Sequence, residues 1–435
     1  MKTCNRFLSD LFLFSFFIVL LFLSIPGSVL AAGTFETPGK VIDENYTEYK
    51  GIVVDRKSGT PLAFASLSLI GTNISTVTNG EGQFSLKISN EIREPKVIVS
   101  FLGYQNKSVS LAAINPDKPR IEMDPTSVEL PEISVISKDA EALMLAVLDK
   151  KGVNYPGEQN QMTAFYRETI KKGRTYVSLS EAVIEIYKQP YMSYRSDIAK
   201  LYKARKKADY SKLDTVTFKL MGGPFNSLYL DIMKNPDLIF TDNMMANYEF
   251  SFDRSTRIDS RLIYVLDFKQ RPGKTEPLYY GKIYIDAQNL AMKSAVFSLN
   301  IEDREQASQM FIKRKPFNAV VYPTEATYRI DYLEKDGKWY YGFSRIELGL
   351  KINWKKKLFN SNYFSTIEMA VTDWKPFPEN AAVSPKERLR PSVIIGDEAS
   401  GFSDPDFWGE YNVIEPEKSI ESAIKKIQKQ LKKKK

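Results

Sequence analysis

The chain has 435 residues, with 61 basic and 53 acidic side chains and a hydrophobic fraction of 43%, a composition typical of a globular protein with two or three domain cores. Histidine is absent, which excludes Ser-His-Asp catalysis, Cys-His catalysis and most catalytic zinc sites. Aromatic residues make up 12% of the chain, a proportion that suits β-rich domains in which rings pack across strands.

The N-terminus has the pattern of a secretory signal peptide over residues 1–31. Lys2 and Arg6 precede the apolar run of residues 11–23. The single cysteine, Cys4, lies before that run, so we expect neither lipidation nor a disulfide in the processed chain. We therefore expect an exported protein that is soluble or only peripherally attached to a membrane. The alternative is an uncleaved anchor, for which the run is short beside the ~20 residues that span a bilayer.

A small β domain is predicted between residues 49 and 125, after a polar linker at residues 32–48. Short apolar runs alternate there with turns rich in glycine, asparagine and proline, as in a β-sandwich of seven short strands. The strands are predicted at residues 50–55, 63–70, 74–78, 83–88, 96–101, 108–111 and 120–123.

The same region resembles the carboxypeptidase-regulatory-like domains in several ordered motifs. The motifs are carried by Gly51, Val53, Asp55, Gly59, Pro61, Leu62, Ala65, Gly71, Thr72, Thr78, Asn79, Gly82, Phe84, Val99, Ser100, Phe101, Gly103 and Tyr104. The resemblance implies a transthyretin-like sandwich without an active site, found at the N-terminus of many exported proteins of gram-negative bacteria. It therefore implies a location in the periplasm or at the outer membrane. Because the chain has no histidine, we expect no carboxypeptidase activity.

A larger antiparallel β module is predicted at residues 138–415, after a second linker at residues 126–137. It begins with a helix to about residue 150, in which Ala140, Leu143, Met144, Val147 and Leu148 form one apolar stripe. Residues 227–243 are predicted to be partly helical. Its strands are predicted at residues 162–171, 175–188, 215–220, 248–252, 262–270, 279–286, 291–299, 309–313, 324–334, 338–350 and 363–373. Asp336-Gly337 is a type I′ hairpin signal between two of them. The fold class is therefore mainly β, with a few helices.

The module is similar to the non-barrel half of a family of uncharacterised exported proteins. The residues that carry this resemblance are Asn154, Tyr155, Phe165, Tyr166, Arg167, Glu168, Gly281, Ile283, Tyr284, Ile285, Asp286, Asp406, Phe407 and Trp408. The long strands also resemble the half-barrels of lipoprotein carriers at the level of the fold alone.

Two groups of residues are candidate contacts for a ligand or a partner. In the first, strand alternation places Tyr166 and Glu168 on one face and Arg167 on the other, where an Arg–carboxylate pair across strands is expected. In the second, Tyr332, Trp339 and Tyr341 face each other across the predicted hairpin. Such rings stack on sugars, line a lipid-holding concavity, or simply pack against each other.

The sequence indicates no particular catalytic, cofactor-binding or metal-binding residue. Glu181 and Glu185 share a strand face but lie ~13 Å apart, which is beyond the separation in glycosidase pairs. We expect them to be exposed acids on the surface of a strand.

The C-terminus predicts a basic amphipathic helix at residues 416–435. Its apolar face consists of Ile420, Ala423, Ile424, Ile427 and Leu431, and its other face is rich in lysine. The favoured interpretation is a helix docked on the β module with a solvated basic tail. The alternative is peripheral contact with an anionic membrane. Most of the net charge of +8 lies in this segment, so nucleic-acid binding is not expected.

The sequence as a whole predicts a non-enzymatic exported envelope protein that binds or scaffolds through its β-rich module. The expected partner is an envelope protein or an apolar ligand, and no cofactor is expected. One alternative is a carrier that holds a lipid or another apolar ligand in a half-barrel concavity. A second alternative is a hydrolase that acts without histidine.

Overall fold

The computed structural model describes residues 18–23, 45–114, 119–126, 139–208, 216–240, 245–274, 276–315, 317–355, 360–377, 383–399 and 407–422. Most of the predicted signal peptide, of both linkers and of the basic C-terminal helix lies outside the described residues. Residues 418–422 are helical. Ile420 is buried against Leu179, and the Tyr176 hydroxyl lies 3.2 Å from Ser419 Oγ, so this end of the segment contacts the β module.

The N-terminal domain is the predicted sandwich of seven strands. After β1 (Ile18–Leu23) they are β2 (Tyr46–Asp55), β3 (Ser66–Leu69), β4 (Ser75–Val77), β5 (Gln83–Ser89), β6 (Lys96–Ser100), β7 (Lys107–Ser110) and β8 (Arg120–Met123). They form one sheet in the order β5-β2-β8 and another in the order β4-β3-β6-β7. The core between the sheets includes Val53, Leu67 and Phe84. A Cβ atom on Gly51 would lie 2.7 Å from the Phe84 ring, so glycine is required there for the ring to pack.

The second domain is built on one sheet of ten strands. In chain order the strands after the sandwich are β9 (Asn160–Lys172), β10 (Thr175–Lys188), β11 (Ile198–Ala208), β12 (Val216–Met221), β13 (Tyr248–Ile258), β14 (Arg261–Gln270), β15 (Tyr279–Asp286), β16 (Met292–Leu299), β17 (Ile312–Arg314), β18 (Ala319–Lys335), β19 (Lys338–Trp354) and β20 (Ser361–Pro376). The large sheet has the order β11-β10-β9-β20-β19-β18-β16-β15-β14-β13. Every neighbouring pair in it is antiparallel.

One face of this sheet, the inner face, packs against the main hydrophobic core. Besides the helical residues 418–422, the described residues form the helices α1 (Ala140–Asp149), α2 (Lys151–Asn154), α3 (Pro224–Tyr229), α4 (Arg304–Phe311) and α5 (Ile395–Glu398). The predicted stripe of α1 is confirmed, since Leu143, Met144 and Val147 are buried. The N-cap of α1 is Asp139, whose carboxylate accepts hydrogen bonds from two backbone N–H groups.

The opposite, outer face carries a smaller hydrophobic cluster that joins three parts of the chain. Phe165 and Phe343 come from the large sheet, Val77 from the sandwich, and Trp408 and Ile414 from a segment near the C-terminus. The sandwich therefore packs on the outer face of the module. Between them remains a cavity of about 50 Å³, so the two domains fit closely.

Three local features of the structure differ from what the sequence predicts. Residues 309–313 are not one strand, because Asp303 caps α4 through the N–H groups of Glu305 and Gln306 and the helix runs to Phe311. β11 was not predicted. β18 begins before the predicted strand and contains Pro323, next to an irregularity in its pairing with β19. The Asp336-Gly337 hairpin is confirmed, with φ values of 51° and 71°.

The apolar strand β1 lies in a separate three-stranded sheet in the order β12-β1-β17. It pairs antiparallel with β12 over six residue pairs and parallel with β17. In the described part of the chain, no helix has the length and hydrophobicity needed to cross a membrane.

Candidate functional site

A row of charged residues crosses the outer face of the large sheet at right angles to its strands. Each of the ten strands contributes one residue, and each residue is directly paired in register with the next. We call this set the charged row, and all its members except Ser251 and Val296 are charged. In spatial order they are Ser251, Asp267, Lys282, Val296, Arg329, Arg345, Glu368, Arg167, Glu181 and Arg205.

Glu181 is held between two arginines at one end of the charged row. Arg167 Nε lies 2.7 Å from Glu181 Oε1, and Arg205 Nη2 lies 2.7 Å from Glu181 Oε2. Burial alone would raise the pKa of Glu181, but the two guanidinium groups outweigh it and hold the pKa below its usual value. The expected Arg–carboxylate pair across strands is therefore present. The expectation that Glu181 is exposed is wrong, because its side chain is fully buried; Glu185 is partly exposed.

Basic and acidic residues also alternate in the middle of the charged row, where Arg345, Glu368 and Arg167 follow each other. Glu368 bonds to Arg345 and lies 3.8 Å from Arg167 Nη1. Arg345 also bonds to Glu347 at 2.8 Å. Burial would lower the pKa of Arg345, but the two carboxylates raise it above its usual value. Arg345 therefore keeps its charge although it is largely buried, because it has oppositely charged partners.

The far end of the charged row is more open to solvent. Lys282 bonds to Asp253 and, at 2.8 Å, to Asp267. Arg329 bonds to Asp331 at 2.7 Å. The side chains of Lys282 and Asp267 are about four-tenths exposed, so solvent screens the ion pairs of Lys282 and they add little stability.

The sandwich is attached to the charged row by an aromatic ring. Phe64 stacks on Phe343 with ring centres 5.3 Å apart. The guanidinium carbons of Arg345 and Arg329 lie 5.0 and 5.3 Å from the centre of the Phe64 ring. A cation beside an aromatic ring stabilises the contact by about 0.5–2 kcal/mol. One side chain of the sandwich thus contacts two cations of the row.

Hydrogen bonds between residues far apart in sequence fix the sandwich around that ring. Ser75 Oγ donates to the Val371 carbonyl at 3.0 Å. Lys335 Nζ donates to the Thr72 carbonyl at 3.0 Å. The backbone of Gly103 donates to the Arg257 carbonyl at 2.8 Å. These bonds lie on several sides of the interface and therefore restrict rotation of the sandwich on the sheet.

The segment of residues 407–417 covers the buried end of the charged row. Arg167 Nη2 donates to the Ile414 carbonyl at 2.8 Å. The Arg205 guanidinium lies 4.8 Å from the centre of the Trp408 ring. The segment also binds the sandwich, since Asn412 exchanges two hydrogen bonds with the backbone of Lys87. Residues 407–417 therefore connect the sandwich to the module.

The first group of predicted contact residues is divided between the two faces of the large sheet, as the alternation of side chains along a strand requires. Arg167 lies in the charged row, whereas Tyr166 and Glu168 lie on the inner face. The Tyr166 hydroxyl donates to Glu168 Oε2 at 3.0 Å, and both side chains are buried. Burial is the main cause that raises the pKa of Glu168 to about 7. Contact of these residues with a ligand or a partner stays a prediction.

The second group lies in the main core. Tyr332 and Tyr341 are directly opposite each other in the β18–β19 hairpin, and both are buried. The Tyr332 hydroxyl donates to Asp231 Oδ1 at 2.8 Å. Trp339 is also buried, with the guanidinium of Arg261 5.6 Å from its ring centre. Their role in binding a ligand or partner also stays a prediction.

A buried lysine beside these tyrosines was missed by the sequence analysis. Lys188 Nζ lies 2.6 Å from Asp197 and 2.7 Å from Asp231, and its side chain has no solvent exposure. Burial would lower the pKa of Lys188, but the two aspartates raise it above its usual value. A lysine held in the charged state is a poor nucleophile or base. The ion pairs instead attach the loop of Asp231 to β10.

Sequence reasoning also missed Arg205, Arg345 and Glu368 of the charged row. The only local signal was opposite charge two residues apart on one strand face, as in Arg329 with Asp331 and Arg345 with Glu347. Strand order and register decide which of these residues meet, and neither can be obtained from one strand at a time. Within the described residues, no cluster of three or more His, Cys, Asp or Glu could hold a metal ion.

Residues 49–135 match the family model described as a CarboxypepD_reg-like domain, so the chain carries such a domain near its N-terminus. A comparison with curated proteins found no match.

Three solved structures show a distant likeness. A DUF1329 family protein from Desulfovibrio piger is 12% identical, with a TM-score of 0.24, over 57% of this chain and 96% of that chain. A LolA superfamily protein from Nitrosomonas europaea is 12% identical, with a TM-score of 0.20, over 58% and 99%. Lipovitellin is 9% identical, with a TM-score of 0.24, over 54% and 27%. TM-scores this low support no inference about function.

Proposed function

We propose that this protein is a non-catalytic, exported envelope protein whose β-rich module is a scaffold. The module holds the sandwich in one fixed orientation, and the combined surface binds a partner in the envelope. The observation that carries the proposal is the charged row, whose cations contact Phe64 of the sandwich and the 407–417 segment.

The chemistry of the interface supports a fixed rather than a loose attachment. Removing charged groups from water is costly unless they are paired with good geometry. In the charged row, Arg167 and Glu181 meet this condition. A displaced sandwich would leave Phe64 without its aromatic and cationic neighbours, and each lost contact disfavours an alternative orientation. The geometry therefore favours one arrangement of the two domains.

A non-catalytic role is supported by the state of the ionisable groups. The chain has no histidine. Glu181 is kept ionised between two arginines, and Lys188 is kept charged between two aspartates. General acid–base catalysis works best with a pKa near the working pH and access to substrate, and neither group meets these conditions. Glu168 has a pKa of about 7 but is buried, so it lacks access to substrate.

The fixed orientation can be measured with spin labels. The single native cysteine, Cys4, is replaced by serine, and cysteines are placed at the exposed positions Arg93 in the sandwich and Arg174 in the module. We expect a narrow distance distribution between the two labels by pulsed electron resonance. Phe64→Ala should broaden it, because the ring contacts both domains. Ile98→Ala, at a partly exposed residue of the sandwich, is the matched control.

The partner-binding role is tested with the same variants in envelope extracts. A partner captured by the wild-type protein and by Ile98→Ala, but lost with Phe64→Ala, would agree with the proposal. A broad distance distribution in the wild-type protein would contradict the scaffold. Capture that is equal for wild type and Phe64→Ala would show that the fixed orientation has no role in binding.

A second candidate, a carrier of a lipid or another apolar ligand, is favoured by strand β1. This strand, with the sequence IVLLFL, lies between β12 and β17 and belongs to the predicted signal peptide. Removal of residues 1–31 would leave that position free for an apolar molecule. The chain beginning at residue 32 should then co-purify with lipid detectable by mass spectrometry. Protein free of lipid after mild purification would exclude the carrier.

A further inference from the structure

A polar pocket lies at the end of the large sheet away from the sandwich contacts. It is formed where β14 and β16 end, where β15 and β18 begin, and beside the first residue of α4. Its volume is about 570 Å³, within the range of ~300–1,000 Å³ for small-molecule sites. Its lining residues are separate from the charged row and from Phe64.

The lining favours a hydrophilic ligand. Apart from Ile301 and Pro323, every lining residue carries a polar side-chain group. Lys269, Glu302 and Arg304 supply charges of both signs. Burying a lipid chain against these groups would remove them from water without new hydrogen bonds, at a cost in free energy. A ligand with many hydroxyl groups would replace the water instead.

Tyr280 gives the pocket an aromatic surface. It lies on the outer face of β15 and is 50% exposed. Many aromatic rings of the described residues are buried, whereas this ring remains accessible beside charged groups. The face of an aromatic ring carries partial negative charge, and the C–H groups on one face of a sugar ring carry partial positive charge. A sugar ring therefore has a complementary surface on Tyr280.

The polar wall of the pocket is already ordered by internal hydrogen bonds. Gln270 Nε2 donates to the carbonyl groups of Lys274 and Glu276, both at 2.9 Å. Asn300 Oδ1 accepts from the backbone N–H of Glu302 at 2.9 Å. These bonds fix the backbone on both sides of Tyr280. A preformed site loses less entropy when a ligand binds.

Two local features place further groups in the lining of the pocket. The pairing of β18 with β19 is irregular between Pro323 and Glu325, and Thr324 at this bulge lines the pocket. Bulges commonly redirect a side chain near a functional site. Arg304 begins α4, and its guanidinium lies 5.0 Å from the centre of the Tyr322 ring. The positive charge of Arg304, held on the Tyr322 ring at the start of a capped helix, suits the binding of an anionic group of a ligand.

We propose that this pocket binds a short acidic saccharide. One sugar ring stacks on Tyr280, a uronate carboxylate accepts hydrogen bonds from Arg304, and Glu302 accepts a hydrogen bond from a sugar hydroxyl. The proposal goes beyond the scaffold role. Phe64→Ala should leave saccharide binding unchanged, so failure of one proposal is distinguishable from failure of the other.

The test is calorimetric titration of the purified protein with trigalacturonic acid and, separately, with neutral maltotriose. We expect the acidic trisaccharide to bind more tightly. Tyr280→Ala should weaken that binding about tenfold through loss of stacking. Arg304→Ala should weaken the binding of trigalacturonic acid about tenfold and change the binding of maltotriose little. Tyr280→Phe should retain most of the affinity, and Tyr194→Ala, at a fully exposed tyrosine, is the control.

Absence of binding by both trisaccharides at millimolar concentration would overturn the proposal. So would binding that is unchanged in both Tyr280→Ala and Arg304→Ala, because the ligand would then be elsewhere. Tighter binding of maltotriose than of trigalacturonic acid would overturn the assignment of an acidic ligand. Circular dichroism of each variant establishes that it is folded before its affinity is compared.

Discussion

At the scale of single residues, the outer face depends on charges that are buried but paired. Arg167 is 2% exposed and bonds both to Glu181 and to the Ile414 carbonyl. Its neighbours in the register are both acids, Glu368 and Glu181. A buried ion pair contributes little compared with an apolar replacement of both partners, but the loss of one partner is costly. Single substitutions in the charged row should therefore have large effects.

Arg167→Met should lower the free energy of unfolding by about 3–5 kcal/mol, because the buried Glu181 loses one of its two arginine partners. Urea denaturation followed by far-ultraviolet circular dichroism measures the change. Arg174→Met, at an exposed residue of the β9–β10 hairpin, is the control and should change stability by less than about 0.5 kcal/mol. Similar small effects of the two substitutions would contradict the role of Arg167.

Glu168 should make stability depend on pH between about 4.5 and 7. Its pKa in the folded protein, about 7, is above the ordinary value of 4.5, so the folded state binds its proton more tightly than the unfolded state. Stability should therefore fall as the pH rises through this window. Glu168→Gln should remove this pH dependence of stability. Its free energy of unfolding relative to that of wild type should therefore rise by about 2–3 kcal/mol from pH 5 to pH 8.

The measurement is urea denaturation of wild type and Glu168→Gln at several pH values. Glu158→Gln, at an exposed residue, should follow the wild-type profile. A stability difference between wild type and Glu168→Gln that stays constant from pH 5 to pH 8 would argue against a raised pKa of Glu168.

At the scale of elements, local sequence signals determine where helices and hairpins begin and end. Asp139 starts α1 by accepting hydrogen bonds from the N–H groups of Glu141 and Ala142, at 2.9 and 3.2 Å. Asp303 caps α4 in the same way. The cap at α4 competes with the apolar pattern that predicted a strand at residues 309–313, and the helix results because its first turn is hydrogen-bonded.

Asp139→Ala should lower the free energy of unfolding by about 1 kcal/mol, because two N–H groups at the start of α1 lose their acceptor. Thermal unfolding and hydrogen exchange of the α1 amides test this expectation. Asp149→Ala is the matched control at the other end of the helix, where an acid opposes the helix dipole. It should be neutral or slightly stabilising. If Asp149→Ala lowered the free energy of unfolding as much as Asp139→Ala, the result would contradict the role of Asp139 as the helix cap.

At the scale of the whole molecule, the sandwich and the module should unfold as one unit. Phe64 contacts the charged row, and residues 407–417 bond both domains. Trp408 is 6% exposed and packs against Phe165 with ring centres 5.5 Å apart. Domains joined by such close packing share their unfolding transition, whereas loosely joined domains unfold separately.

Trp408→Ala should lower the free energy of unfolding by about 3–5 kcal/mol and split the calorimetric transition into two. The wild-type protein should show one transition. Tyr194→Ala, at a fully exposed aromatic residue, should retain it. Two transitions already present in the wild type would contradict the coupling of the domains.

The sequence predicted much of the fold and less of the site. All seven strands of the sandwich were predictable, because turn residues separate short apolar runs there and the motifs are local. Most strands of the module were predictable from their apolar and aromatic residues. β11 was missed because its lysines and arginine interrupt the apolar pattern. Arg167 was identified together with the kind of partner it binds, but Glu181 was placed on the surface because burial cannot be read from one strand.

By itself, the sequence determined the elements that depend on neighbouring residues. These include the sandwich, the Asp336-Gly337 turn and the apolar stripe of α1, since turn preference and periodicity act over a few positions. Only the tertiary structure decided that residues as distant in sequence as Arg167, Glu368 and Lys282 lie in one row. Strand order and register set that arrangement, and they arise from packing over the whole sheet. The position of Phe64 on the row was decided in the same way, because an interface between domains has no local pattern.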